Sequence, residues 1–226
     1  MRTTSREYFA RLRDWLCRNY WRVALLFVGV LLPLWLFGAL AEEIHEGDTF
    51  SWDESTLLWI KANSSPLLDW LIINGELVGG ILTFPFIIAV VFALRFLKRV
   101  ENAMFFLYAV LGSYLLNIAV KAFFKRERPA LWESPLPETN PSFPSGHAMV
   151  SMAIAVAFIE LAWRTKWRWP VVVLGLGSTF IIGFSRMYLG VHFPSDILAG
   201  WSGGLIWTCG LYLLLRRSKV EPVAVS

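Results

Sequence analysis

The stretch VALLFVGVLLPLWLFGALA, residues 23–41, runs for nineteen residues without a charged side chain. A helix needs about 20 mostly apolar residues to cross the ~30 Å hydrocarbon core of a bilayer. This stretch therefore predicts a membrane-spanning helix. The composition of the whole chain agrees, because 56% of its 226 residues are hydrophobic and its mean hydropathy is +0.54, which is too apolar for a soluble domain of this size.

Further apolar runs follow along the chain and predict an all-α, polytopic membrane protein with six transmembrane helices. We expect one membrane-embedded domain over residues 1–226, with no internal repeat or long linker. Asn74, Glu76 and Pro85 interrupt the second apolar run. The predicted spans are 20–41, 71–94, 101–123, 146–163, 170–190 and 195–215.

Lysine and arginine are frequent in four segments: before span one, between spans two and three, between spans four and five, and after span six. These segments alternate along the chain so that all four lie on one side, and the positive-inside rule makes that side cytoplasmic. Residues 1–19 are thus predicted as a cytoplasmic or interfacial segment and residues 216–226 as a cytoplasmic tail. The acidic loop after span one, which includes Glu42, Glu43 and Glu46, is predicted to be external.

The N-terminal region leaves one alternative open. Ala39-Leu40-Ala41 has the small-x-small pattern of a signal-peptide cleavage site, although the apolar run is longer than the 7–15 residues typical of such peptides. Residues 8–21 carry aromatic side chains at helical spacing among arginines and predict an interfacial helix. Residues 53–70 predict a similar helix on the outer surface.

The net charge of +4 and the pI near 9.2 do not indicate a nucleic-acid partner, because the basic residues adjoin apolar runs instead of forming a continuous stripe. Cys17 and Cys209 belong to no metal-binding or disulfide spacing and are predicted to be unpaired thiols. The oligomeric state is not predicted.

Three groups of polar residues lie at the predicted outer ends of spans three to six. Ionisable side chains near membrane spans are costly, so such groups indicate a functional site. Their cations also run against the positive-inside bias, and a bound anion is the simplest explanation. The groups are Lys121-x6-Arg128-Pro129, Pro144-Ser145-Gly146-His147 and Ser185-Arg186-x5-His192-x3-Asp196.

Cleavage of a phosphate ester requires charge neutralisation of the phosphate oxygens, an in-line nucleophile and a proton for the leaving group. Lys121, Arg128 and Arg186 can bind the oxygens. Ser145 and Gly146, at the start of span four, can add backbone N–H groups where the helix dipole favours an anion.

His192 and Asp196 are four residues apart, so either a short helix that starts near Pro194 or an extended entry would let the carboxylate reach one imidazole nitrogen. The carboxylate then fixes the tautomer and leaves the other nitrogen free to attack. His147 remains as the general acid. Alone, His147 could be a helix-start histidine and Asp196 a helix cap, but their joint occurrence favours the catalytic interpretation.

These residues resemble the three motifs of the type 2 phosphatidic acid phosphatase superfamily, K-x6-RP, PSGH and SR-x5-H-x3-D, and every fixed position is matched between residues 121 and 196. The resemblance implies that His192 is a nucleophile forming a phosphohistidine, that Asp196 is its partner and that His147 is the acid. It implies no metal and no cofactor. The residues that would bind phosphate are Lys121, Arg128, Ser145, Gly146 and Arg186.

By the same resemblance we expect a bacterial inner-membrane phosphatase whose site faces the periplasm or the outside. Its partners would be the bilayer and a lipid substrate such as undecaprenyl diphosphate, phosphatidylglycerol phosphate or phosphatidic acid. A lipid phosphotransferase remains a second possibility. A non-catalytic lipid transporter or scaffold is a third, although neither needs the intact set His147, His192 and Asp196.

Other charged residues near the motifs have no assigned role. Lys125 and Arg126 match no motif position, and the sequence leaves open whether they are interfacial anchors or part of the site. Glu127 and Glu133 are predicted to tune the local field or to pair with Arg126. His45 is predicted to be a solvated surface residue.

Overall fold

The computed structural model describes residues 5–47 and 50–215, and every regular element within these ranges is a helix. The all-α prediction is therefore confirmed. A π-helical turn, Phe27–Leu31, joins the first two helices. The α-helices are α1 (Ser5–Leu26), α2 (Leu32–Glu46), α3 (Ser51–Ala62), α4 (Pro66–Phe96), α5 (Val100–Phe124), α6 (Gly146–Ala162), α7 (Arg168–Tyr188) and α8 (Pro194–Leu215).

Five segments of the described chain are long and apolar enough to cross a membrane, which makes this a multi-pass membrane protein. The fourth predicted span corresponds to α6, which is apolar but has only 17 residues. The count of six spans therefore stays a prediction. The five segments are Asn19–Glu46, Gly79–Phe96, Val100–Phe124, Arg168–Tyr188 and Pro194–Leu215.

The first span differs from its predicted bounds. It continues to Glu46, so Glu42, Glu43 and Glu46 belong to the last turns of α2 and not to the predicted loop, while their external position stays a prediction. The helix ends only at Gly47, whose φ of 83° is a left-handed conformation that glycine adopts easily. The predicted interfacial segment 8–21 lies within α1, and the predicted tail, 216–226, lies outside the described residues.

Close packing of α6 against α8 brings the starts of these two helices together. A Cβ atom on Gly200 would lie 2.7 Å from the carbonyl oxygen of Ser145, and one on Gly204 would lie 2.6 Å from that of Met149. Only glycine permits this approach, as at other small-residue contacts between membrane helices. The Ser145 N–H consequently donates to the Asp196 carbonyl at 3.0 Å.

The end of α5 lies beside the same point. Asn117 on α5 donates from Nδ2 to the Pro144 carbonyl at 3.0 Å, and its Oδ1 would lie 3.0 Å from a Cβ on Gly146. These contacts hold the segment that precedes α6 against α5. The packing therefore places the end of α5, the start of α6 and the start of α8 in one region.

Candidate active site

The residues of the three motifs form one cluster at these helix ends. Lys121 and Arg128 both donate to Asn140 Oδ1, at 3.1 and 2.5 Å. The Nη1 atom of Arg128 lies 3.3 Å from His192 Nε2. The Glu138 carboxylate contacts both Arg128 and Arg186. Spacing in the sequence predicted this set of residues, and the structure brings its cations and the His192 imidazole together.

His192 and Asp196 form a buried imidazole–carboxylate pair, with side chains 1% and 0% exposed. Asp196 is in the first turn of α8, which begins at Pro194, so the helical alternative of the two is the one found. Its Oδ2 atom lies 3.4 Å from His192 Nδ1, a long contact. The other ring nitrogen, Nε2, faces Arg128, where a bound phosphate would lie.

Burial is the main cause that lowers the pKa of His192, to about 4 from 6.5, although the Asp196 carboxylate acts in the opposite direction. The imidazole is therefore neutral at pH 7. A neutral imidazole retains the lone pair that a nucleophile needs.

This depressed pKa predicts the acid side of the pH–rate profile. A His192 nucleophile would be lost only as the pH falls through about 4, instead of through the ordinary 6.5. After correction for substrate ionisation, whose second pKa is about 6, kcat/KM should not show a His192-dependent fall between pH 7 and pH 5. Measurement of kcat/KM against pH tests this, and a corrected fall centred near 6.5 would contradict it.

Three donors hold the Asp196 carboxylate. They are the Phe193 N–H at 2.9 Å, the Ser142 hydroxyl at 2.5 Å and the Arg126 guanidinium at 2.6 Å. With these bonds and the His192 contact, Asp196 has a partner for each oxygen, so its position is fixed within the buried pair.

Arg126 joins this pair to helix α3. Its side chain is 10% exposed, and it donates to Asp196 and, at 2.9 Å, to Asp53. Asp53 also accepts from the Ser195 N–H at 2.9 Å and from the Ser195 hydroxyl at 2.5 Å. Of the two roles predicted for Glu127 and Glu133, the pairing with Arg126 was therefore wrong.

A carboxylate of the loop between α5 and α6 occupies the centre of the cation cluster. Glu138 contacts Arg128 at 2.5 Å through Oε2 and Arg186 through Oε1. Burial favours a higher pKa for Glu138, but Arg186 and Arg128 outweigh it and hold the pKa below its ordinary value. Glu138 is thus ionised at neutral pH and lies between the two arginines as a bound anion would.

Arg186 is almost fully buried and contacts a second carboxylate, Glu76 of α4, at 2.5 Å through NH1. Its Nε atom has no hydrogen-bond partner among the described residues. A buried donor without an acceptor is costly, which suits a residue that binds an anionic ligand. Sequence analysis missed Glu76 and Glu138, although Glu76 was visible as a charge within an apolar run.

The start of α6 presents His147 to the same cluster. His147 Nε2 lies 3.2 Å from Glu76 Oε1, and 45% of the imidazole side chain is exposed, so it is accessible to a ligand. Ser145 is the buried N-cap, and its hydroxyl accepts from the Ala148 N–H at 3.5 Å. Since the Ser145 N–H is already bonded to Asp196, the Gly146 N–H in the first turn is the better candidate donor to phosphate.

Comparisons with known proteins agree with this geometry. Residues 102–219 match the PAP2 superfamily. Phosphatidylglycerophosphatase B of Bacillus subtilis is 31% identical over 180 residues, which cover 75% of this chain and 86% of that protein. An undecaprenyl-diphosphatase of Sulfolobus acidocaldarius is 40% identical over 63 residues, 28% of each chain.

The fold is also similar to a solved structure, that of a transmembrane PAP2-type phosphatidylglycerolphosphate phosphatase from Bacillus subtilis. The TM-score is 0.69 at 28% sequence identity, and the match covers 81% of this chain and 94% of that chain. The similarity therefore extends over most of both chains, well beyond the motif residues.

Proposed function

This chain belongs to the PAP2 superfamily, and from that premise we propose that it is a membrane phosphatase that hydrolyses a lipid phosphate or diphosphate without a metal. The observation that carries the proposal is the buried His192. Asp196 lies at one ring nitrogen, and the Arg128 guanidinium lies at the other. This arrangement provides an oriented neutral nucleophile beside a cation that can bind phosphate oxygens.

In the first step, the substrate phosphate takes the place of the Glu138 carboxylate between Arg128 and Arg186. His192 Nε2 attacks the terminal phosphorus in line, and the bond from that phosphorus to the leaving oxygen breaks. The leaving oxygen is the lipid oxygen of a monophosphate or the bridging oxygen of a diphosphate, and His147 gives its proton to that oxygen. The products are the dephosphorylated lipid and a phosphohistidine. Because the transition state spreads negative charge over the phosphoryl oxygens, the fixed cations stabilise it.

In the second step, water attacks the phosphohistidine, and His147 accepts the proton that the water loses. The nitrogen–phosphorus bond breaks, inorganic phosphate leaves, and His192 is again neutral. Asp196 stabilises the positive charge that the imidazole carries while it is phosphorylated. Arg126 and Ser142 hold Asp196 in place for both steps.

The order of the helices supports a site on the outer side of the membrane. α5 and α7 end at the site, while α6 and α8 begin there, so all four helices meet it from the same side. With the positive-inside distribution of lysine and arginine, both termini would be cytoplasmic and the site would face the outside or the periplasm. The relatives support a bacterial cell membrane as the location.

Release of inorganic phosphate tests this proposal. The purified protein, in detergent and EDTA, is given phosphatidylglycerol phosphate, a polyprenyl diphosphate and phosphatidic acid in parallel assays. We expect release from at least one of them, with the relative kcat/KM values ranking the substrates. Folded protein that releases phosphate from none of the three, or only after magnesium is added, would contradict the proposal.

The position of Glu138 predicts tighter binding of phosphate analogues when its charge is removed. Glu138→Gln keeps the size of the side chain but no longer competes as an anion for Arg128 and Arg186. We expect the inhibition constant of vanadate to fall roughly tenfold, equivalent to about 1.4 kcal/mol. Glu133→Gln, an exposed change in the same loop, is the matched control and should leave that constant unaltered. Equal constants for Glu138→Gln and the unaltered protein would contradict competition.

A further inference from the structure

Glu76 lies on α4, outside all three motifs, yet its carboxylate is directed into the site. Oε1 lies 2.5 Å from Arg186 NH1 and 3.2 Å from His147 Nε2. Oε2 accepts from the Ser185 hydroxyl at 3.4 Å. A carboxylate on a helix that continues into a membrane span is costly, so its presence there indicates a function.

We propose that Glu76 is a positioning residue for His147, a role that rests on the proposed phosphatase function. By accepting the Nε2–H of His147, the carboxylate fixes the ring and directs the other nitrogen, Nδ1, to hold the proton that passes to the leaving group. Glu76 and His147 then form a second carboxylate–imidazole pair beside Asp196 and His192. One pair orients the nucleophile, and the other orients the acid.

The charges around His147 explain why the acid needs such a partner. It faces Arg186 from α7, Lys121 from α5, Glu138 from the loop and Glu76 from α4. The two cations oppose protonation of the imidazole, while the two carboxylates favour it. Substrate phosphate would displace Glu138 from the cluster, which leaves Glu76 as the carboxylate in contact with the acid while the bond is broken.

This role predicts a loss that depends on the leaving group. A general acid contributes about 10²–10⁴-fold when the departing oxygen is an alkoxide, which needs a proton. A nitrophenolate leaves without protonation, so its departure gains little from the acid. Removal of the Glu76 charge should therefore slow the first step for alkyl phosphates and leave it nearly unchanged for nitrophenyl phosphates.

The test uses Glu76→Gln and two substrates with the same hydrocarbon chain, a long-chain alkyl phosphate and a nitrophenyl phosphate that carries that chain. We expect kcat/KM, which reports the first step but not hydrolysis of the phosphohistidine, to fall by roughly 10–100-fold on the alkyl phosphate and to change by less than about threefold on the aryl phosphate. His147→Asn should show the same selectivity. The double variant should be no slower than His147→Asn, because residues that act as one unit are not additive.

A purely structural role would give a different pattern. Equal losses of kcat/KM on both substrates, or a larger inhibition constant for vanadate, would mean that Glu76 acts by holding Arg186, and would overturn the proposal. No loss on either substrate would overturn it as well. If Glu76→Gln does not fold, Glu76→Asp keeps a negative charge near Arg186, while the shorter side chain draws the shared oxygen away from His147 Nε2. The same selectivity in kcat/KM is expected.

The proposed phosphatase function is judged separately in this experiment. Release of phosphate by the unaltered protein, and its loss in His192→Ala, decide that function whatever Glu76 does. If the unaltered protein is active and Glu76→Gln is fully active on the alkyl phosphate, the phosphatase function stands and the role of Glu76 falls.

Discussion

Replacement of His192 by alanine should reduce phosphate release on the order of 10⁴-fold or more. The change removes the only atom proposed to bond to phosphorus, and water has no oriented route to replace it. Asp196 would keep its bonds to Arg126, Ser142 and the Phe193 N–H, so the fold should survive. Phosphate release and the thermal unfolding midpoint, both measured in detergent, provide the two readouts.

The matched control is His45→Ala, since His45 is an exposed histidine of α2 whose ring contacts are with Phe123 and Phe124, which belong to none of the three motifs. It should retain activity within about twofold, as expected for a surface substitution. A folded His192→Ala protein that retains a tenth of the activity would contradict the assignment of His192 as nucleophile.

Arg126→Met should lower both the stability of the protein and its kcat. The change leaves two buried carboxylates, Asp53 and Asp196, without their shared cation, and loss of one partner from a buried ion pair costs about 3–5 kcal/mol. Because Asp196 then loses a fixed orientation, kcat should fall by roughly 10²-fold. Thermal unfolding and steady-state kinetics on the same preparation measure both effects.

Three further variants test the contribution of the Arg126 bridge between Asp53 of α3 and Asp196. Lys125→Met, an exposed change at the adjacent position, should unfold at the temperature of the unaltered protein. Arg126→Lys should recover only part of the stability, because one ammonium lacks the fork that reaches both carboxylates. Arg126→Met with Asp53→Asn should be more stable than Arg126→Met alone, since one uncompensated charge is gone. If Arg126→Met unfolds at the same temperature as Lys125→Met, the Asp53–Arg126–Asp196 bridge contributes nothing to stability.

The sequence predicted most helix bounds closely because apolar runs between polar loops determine them. Spans predicted at 101–123 and 195–215 are found as Val100–Phe124 and Pro194–Leu215. The C-terminal end of the first span was misplaced because the apolar run ends at Ala41, whereas the backbone hydrogen bonds of the helix continue to Gly47. A glutamate on the last turn of a helix looks the same in sequence as one in a loop.

The candidate site was predictable where chemistry follows short spacing, and unpredictable where it depends on packing. Four residues separate His192 from Asp196, and a helix start between them was sufficient to join them. Arg126 and Asp53 are 73 residues apart, and only the packing of α3 against α8 makes them partners. Glu76 gave a signal, a charge in an apolar run, but nothing in the sequence showed that it faces His147.

The stereochemical course at phosphorus tests the central claim most directly. The substrate is a lipid with a chiral, isotopically labelled terminal thiophosphate, hydrolysed in water that carries a third oxygen isotope. Two in-line displacements, first by His192 and then by water, each invert the configuration, so the account predicts net retention in the released thiophosphate. Net inversion would mean that water attacks the lipid phosphate directly, and it would contradict the phosphohistidine mechanism.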